Sequence, residues 1–531
     1  MARGRHLGRH DPQKRERRMK RLLLTAALLV LAAASVANPL TLSTPQGPIL
    51  GDANEDGVGV FKAIPYALPP TGPRRWAPPE GAGAWAGVRD GRDFSPQCIQ
   101  APYPSASVFA RPHRPTSEDC LYLNVWTPKT DGKAPVMVWI HGGGLTRGTG
   151  ATDAYDGTAL AKKGVVVVTL NYRLGVMGFL AHPALSAAAE TGVSGNYGFL
   201  DQAEALRWVQ ANIAAYGGDP DQVTIFGESA GARSVHALLA MPSTRGLFHR
   251  AIAQSGGGFS PTQALKTEVH GLRSAESWGA ALAETLGAST AEALRALPAR
   301  AVQTAAEQLG LPLTTVVDGV VMPEQPGDLF RAGKMAKVPV LLGFNKDEGT
   351  SLTAPSQRPK TREALAAGFE ARFGPYAPRL LAHYAGDPER AWLDAFRDQR
   401  FGWEMVSWGD ASEAAGQPAY LYYFTHHPSG PYAAQLRAYH AGEIRYAFNN
   451  VHLNPDATEG DLALGETMSD YWVAFAKTGD PNHDGAPRWP EWNGETRPFL
   501  ELGTAPRPAA ELLGEAKALF DALPEAYRVR R

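Results

Sequence analysis

The sequence predicts an α/β protein built on a large, mostly parallel central sheet flanked by helices. Three observations carry that expectation. Apolar runs of strand length recur along the chain, helix-periodic segments separate them, and the chemically distinctive clusters come directly after those runs. Pro135 to Ile140 is the first such run and ends in His141-Gly142-Gly143-Gly144. Gly164 to Leu170 is the second and ends in Asn171-Tyr172-Arg173. Val223 to Phe226 leads into Gly227-Glu228-Ser229-Ala230-Gly231, and Val338 to Phe344 leads into Asn345-Lys346-Asp347-Glu348-Gly349. Unbroken Val/Ile/Leu runs of this length suit strands buried on both faces. From Leu200 to Ala215, Ala205, Leu206, Val209 and Ile213 recur at helical spacing. In such folds ligands gather at the carboxyl ends of the strands, where these clusters fall.

Composition bounds the rest. A chain of 531 residues, 44% hydrophobic and 20% charged, can bury a large core and is not a disordered polymer. Beyond residue 40 there is no linker, charge run or internal repeat, so 38–531 is expected to form one domain. Residues 1–21 hold nine Lys/Arg and two acids, and Leu22 to Ala34 is apolar except for Thr25. Ser35-Val36-Ala37 then supplies the small residues a signal peptidase reads. Residues 1–37 are therefore expected to be an export signal cleaved after about Ala37, placing the protein in the periplasm or outside the cell. Met19 offers a compact alternative start, with 1–18 an over-extension, and Arg17-Arg18 an alternative twin-arginine signal that fits poorly. Without residues 1–37 the formal charge moves from −1 to near −8, which leaves no basic surface for nucleic acid or anionic membrane. No membrane anchor is expected after cleavage.

The two cysteines, Cys98 and Cys120, most economically form one disulfide in an exported chain. It closes a loop of about 20 residues and contributes roughly 3 kcal/mol on the loop-entropy account. The alternative is two unpaired thiols. A metal site is disfavoured, because His113 is the one imidazole between them and no fourth ligand is evident.

Gly-x-Ser-x-Gly between a strand and a helix is the setting of a nucleophile elbow, with Ser229 held up on a tight turn. Side chains at Gly227 and Gly231 would collide with the neighbouring strand and helix. A serine hydroxyl needs a base, itself oriented by an acid. In the order Ser, acid, His, the acid is Asp347 or Glu348, which spacing does not separate. His440, in a small-residue loop before an apolar segment, leads the candidate bases; His383, His426, His427, His452 and His483 remain. The glycines after His141 let backbone N–H groups reach a substrate oxygen that becomes negative in the transition state.

Taken together these stretches resemble the type-B carboxylesterases, relatives of the cholinesterases, and in particular their bacterial, para-nitrobenzyl-esterase-like members. Glu118-Asp119-Cys120-Leu121-Tyr122-Leu123-Asn124-Val125 is similar to one family signature. Tyr216-Gly217-Gly218-Asp219-Pro220 with the Ser229 motif is similar to the other, with Tyr in place of the usual Phe. Phe61-Lys62-Ala63-Ile64-Pro65-Tyr66-Ala67, Asn171-Tyr172-Arg173-Leu174-Gly175 and the segment from Tyr471 to Asn482 extend the match from about residue 40 to 495. The resemblance implies an α/β-hydrolase fold with helical insertions forming a gorge over the site. It implies Glu348 as triad acid, His440 as base, and Gly143, Gly144 and Ala230 as oxyanion-hole donors. It further implies that Ser255 helps to hold the acid, and that Cys98 pairs with Cys120. No cofactor or metal is implied, and the partner is a small-molecule ester.

The departures bear on substrate. The cholinesterases place a choline-stacking Trp between the two cysteines; this segment has none. Leu145 stands where the family usually has Phe, which is expected to reshape the acyl side of the pocket. Asp52 to Gly57 begins like a calcium loop, but Ala63 occupies the position of the bidentate Glu, so a hairpin turn is expected. Arg173 is expected to be a core ion-pair partner, Trp472 and Phe475 helix core, Glu443 structural, and Glu228 a local electrostatic influence on His440.

The expectation is a monomeric or weakly self-associating serine esterase for short- to medium-chain or aryl esters. Its rivals are amides, carbamates or polymer esters as substrates, a lipase, and a non-catalytic binding module of the same fold.

Overall fold

The computed structural model describes residues 38–105, 107–110 and 114–528. The expected export signal in residues 1–37 lies outside them, as does His113. A 13-stranded sheet organises the chain. Its middle is parallel, in the order Val166–Leu170, Ala134–Ile140, Gly218–Glu228, Arg250–Gln254, Val340–Asn345, Ala419–Phe424 and Phe499–Leu502. Antiparallel strands close both flanks: Tyr122–Thr127 with the three strands before it on one side, and Arg507–Ala509 on the other.

The side chains of the central strands sort by residue parity. Val136, Val138 and Ile140 join the larger apolar cluster on one face, while Met137 and Trp139 join a second cluster on the other. Val166, Val168 and Leu170 divide from Val165 and Val167 in the same way. Successive strand residues point to opposite faces, and both faces here are covered, so nearly every position is apolar. That is the physical origin of the unbroken runs.

Helix Tyr197–Asn212 begins earlier than the periodicity indicated and ends in a 3-10 turn, Ile213–Tyr216. Strand Gly218–Glu228 likewise begins before its apolar run. Gly47–Ala53 and Gly59–Pro65 pair antiparallel across the Asp52-to-Gly57 segment. Its Asn54 Oδ1 accepts from the N–H groups of Asp56 and Val58, a turn rather than an ion site. Trp472 and Phe475 are fully buried in helix Glu459–Thr478.

Cys98 and Cys120 form a disulfide with a Cα–Cα distance of 5.1 Å. Arg173 donates to Asp201 through Nε at 2.8 Å and Nη2 at 2.6 Å, and its backbone N–H adds a third bond at 3.0 Å. Both partners are buried. Burial works to lower the Arg173 pKa, and the Asp201 carboxylate outweighs it, so the guanidinium stays charged. This pair ties the segment after Val166–Leu170 to the long helix beside it. Removing one partner leaves the other charge buried and unpaired, so Asp201→Ala should cost about 3–5 kcal/mol in urea denaturation. A loss below about 1 kcal/mol would contradict this account.

Candidate active site

Parallel strands bring their carboxyl ends to one edge of the sheet, and three of the distinctive clusters meet there. Gly227 lies in register with Ile140 on one side, and Glu228 with Gln254 on the other. Ser229 comes next, with φ 57° and ψ −116°, and begins helix Ala230–Ala240. Such a conformation is costly for a residue with a Cβ and needs its surroundings to hold it. The holding contacts are visible. The Ser229 N–H donates to the Gln254 carbonyl at 2.8 Å. A Cβ on Gly227 would lie 2.7 Å from the Ile140 carbonyl oxygen, and one on Gly231 would lie 2.0 Å from it. The helix therefore approaches the strand closely only because both positions lack side chains.

The loop after Ile140 is fixed from beneath. His141 is buried, stacks on Tyr172 with ring centroids 4.5 Å apart, and places Nδ1 2.9 Å from the Gly142 carbonyl. Burial, opposed only by that hydrogen bond, lowers its pKa to about 4, so the ring is neutral and Nδ1 donates. Gly143 and Gly144 come next, at φ 108° and 67°. Among the described residues, the N–H groups of Gly143, Gly144 and Ala230 donate to no protein acceptor.

His440 Nδ1 lies 2.5 Å from Glu348 Oε2, and the Asn345 N–H donates to Glu348 Oε1 at 2.8 Å. Asp347 faces away. It pairs with Arg390 and accepts from the Ala438 N–H, while its own N–H donates to the Ala438 carbonyl. The other candidate bases lie elsewhere: His426 bonds Asp461, His452 bonds the Asn449 carbonyl and His483 the Asp484 carbonyl. The remaining ring nitrogen of His440 comes within 3.1 Å of Glu228 Oε1, close enough for charge attraction but without the alignment of a hydrogen bond.

A third carboxylate, Glu443, completes the buried cluster. It accepts from Gln254 Nε2 at 3.0 Å and from Asn345 Nδ2. Burial, opposed by His440 and reinforced by Glu443 and Glu348, raises Glu228 well above the usual carboxylate range. Burial alone would lower His440; Glu228, Glu348 and Glu443 outweigh it and raise the imidazole to about 9. The two groups compete. Once Glu228 takes a proton, only Glu348 and Glu443 hold the imidazole up.

Ser229, His440 and the glycines after His141 line one cavity of about 410 Å³. Phe401, 5.0 Å from the His440 ring between centroids, and Phe109 at 6.4 Å wall it beside His440. Pro102, Tyr103 and Phe109, from the segment between the cysteines, supply part of that wall, and no tryptophan lines it among the described residues. No group of His, Cys, Asp or Glu among the described residues has a metal-holding arrangement.

Two expectations need correction. Ser255 does not hold the acid through its hydroxyl, because Oγ is buried with no hydrogen-bond partner among the described residues. The Asn345 N–H reaches Glu348 first, while the Ser255 backbone at φ 55° carries the strand end past Gly343. Leu145 is not part of the cavity wall. It is fully buried in the core, and its carbonyl accepts from the Gly175 N–H at 2.7 Å.

This geometry accompanies a match to the carboxylesterase family model over residues 38–520. The chain belongs to the carboxylesterase family. It is 39% identical to a fumonisin B1 esterase of Sphingopyxis macrogoltabida, covering 90% of this chain and 89% of that one. It is 37% identical to a para-nitrobenzyl esterase of Bacillus subtilis, covering 87% and 94%. A solved carboxylesterase of Geobacillus stearothermophilus superposes with a TM-score of 0.79 at 37% identity, covering 90% and 99%. As a carboxylesterase the chain is a serine hydrolase of esters.

Sequence reasoning did not single out Asn345 and Gln254 as the groups that hold the carboxylates, nor Phe401 and Arg400 as cavity walls. Asn345 sat within a quoted motif; Phe401 and Arg400 carried no local signal.

The carboxylate cluster sets a pH dependence. A protonated imidazole has no lone pair with which to accept a proton, so any reaction that uses His440 as its base is expected to appear as pH rises through the His440 pKa. Glu228→Gln removes a carboxylate that raises that pKa, so the acid limb of kcat/KM should move to lower pH. A limb that stays in place would count against the electrostatic role of Glu228.

Proposed function

We propose that Ser229, His440 and Glu348 hydrolyse carboxylic esters through an acyl-enzyme. The observation that carries this is the Glu348–His440 contact at 2.5 Å beside a strained Ser229 in one cavity. Ser229 Oγ attacks the ester carbonyl while His440 Nε2 takes its proton. Glu348 holds the imidazole in place through Nδ1 and stabilises the imidazolium that forms. The carbonyl oxygen becomes negative and accepts from the N–H groups of Gly143, Gly144 and Ala230, each worth about 3 kcal/mol in the transition state. The alcohol leaves with the proton from His440. Water then adds to the acyl-serine by the same route, releasing the carboxylic acid and restoring Ser229.

A cavity of about 410 Å³ with aromatic walls suits short- to medium-chain or aryl esters. Residues 38–531 act on this view as one catalytic unit and 1–37 as an export signal. The disulfide supports export, and no helix among the described residues is long and apolar enough to cross a membrane.

Ser229→Ala should reduce p-nitrophenyl butyrate turnover at least about a thousandfold while leaving the unfolding transition in place. Wild-type turnover in a folded Ser229→Ala variant would end the assignment. N-terminal sequencing of the exported protein should begin at about Asn38; a chain that retains residues 1–37 would refute the signal.

A further inference from the structure

The cavity that holds Ser229 is lined by two arginines, in a chain whose formal charge is −1. Among the described residues, its charged lining side chains apart from His440 are Glu228, Arg233 and Arg400. Glu228 is buried behind the nucleophile and is pushed toward its protonated form. Two arginines therefore line the cavity of Ser229 together with one buried carboxyl group whose proton affinity is raised.

Their positions are set by the backbone. Arg233 lies one turn beyond Ser229 on helix Ala230–Ala240, and its N–H donates to the Ser229 carbonyl at 3.0 Å. Its Nη1 reaches Thr314 Oγ1 at 3.4 Å. Arg400 lines the same cavity from a π-helical segment, Asp398–Gly402, inserted between helices Pro388–Arg397 and Trp403–Ala414. The extra residue of a π turn shifts the register of the helix beyond it, a distortion that recurs at functional sites. Here consecutive residues of that turn, Arg400 and Phe401, both line the cavity. The Arg400 guanidinium lies 5.2 Å from the ring centre of Phe396, another lining residue, which holds it along the wall.

We propose that this site is built for esters that carry a free carboxylate, which Arg233 and Arg400 attract and orient while Ser229 attacks the ester carbonyl. A guanidinium binds a carboxylate in a planar, two-point arrangement, and a cationic cleft with low-dielectric walls concentrates anionic substrates. This rests on the ester-hydrolase function proposed above and adds the substrate's charge to it. The carboxylate belongs either to the acyl part or to the alcohol part of the ester, and two probe pairs separate these sources. Monoethyl glutarate against ethyl pentanoate tests the acyl side, and 3-(butanoyloxy)propanoate against propyl butanoate tests the alcohol side.

In at least one pair the anionic member should have the higher kcat/KM, and added salt should reduce that advantage. The double variant Arg233→Gln/Arg400→Gln should lower kcat/KM for the preferred anionic ester about tenfold or more beyond its effect on the neutral partner, mainly through KM. Arg233→Lys/Arg400→Lys, which keeps the charge, should recover part of the preference. Equal losses on neutral and anionic esters, or a neutral preference in both pairs, would overturn the proposal while leaving ester hydrolysis intact. No Ser229-dependent turnover of any of the four esters would overturn the hydrolase function and this inference with it.

Discussion

The close approach of the Ser229 turn to the end of strand Ala134–Ile140 is the constraint on which the site depends. The Ile140 carbonyl oxygen sits where side chains at Gly227 and Gly231 would be, so only a side-chain-free backbone on both sides of the serine lets helix and strand meet. That contact brings Ser229 close to the loop after Ile140, which carries Gly143 and Gly144. The strain at Ser229 is the local consequence, held by its hydrogen bond to Gln254 and by the buried core on both faces of the sheet.

Around that turn the chain gathers three buried carboxylates, Glu228, Glu348 and Glu443, about one imidazole. Such a group of like charges is unfavourable unless each member is bonded or neutralised. Two are bonded: Glu348 accepts from the Asn345 N–H and touches His440, and Glu443 accepts from Gln254 and Asn345. Glu228 meets the cost through its raised proton affinity and its place beside His440. Asn345 is the connecting residue, because its backbone serves one acid and its side chain another.

Much of the wall of the cavity comes from elements other than those that carry Ser229, Glu348 and His440. The segment between the two cysteines contributes Tyr103 and Phe109, and the π-helical insertion contributes Arg400 and Phe401. Neither belongs to the central sheet, whereas Arg233 lines the same cavity from the helix that begins at Ser229. A scaffold of this kind keeps its chemistry while its lining varies.

Much of this was legible in the sequence. The unbroken apolar runs and the Gly-rich exits identified the parallel sheet and its active edge, because strand burial and side-chain-free turns are local demands on residue type. The glycines about Ser229, the core role of Arg173 and the pairing of Cys98 with Cys120 were likewise expected from chain order and chemistry. Asp347 and Glu348 could not be told apart by spacing, since adjacent residues of the same charge differ only in which way each points once the loop is folded against Ala438. Leu145 was expected at the pocket and lies in the core, and Ser255 was expected to help hold Glu348 and its hydroxyl does not. Both errors concern side-chain direction, which local sequence does not encode at left-handed turns. Arg233 and Arg400 lie 167 positions apart in numbering. Both line one cavity, because residues so distant in the chain meet through tertiary structure alone.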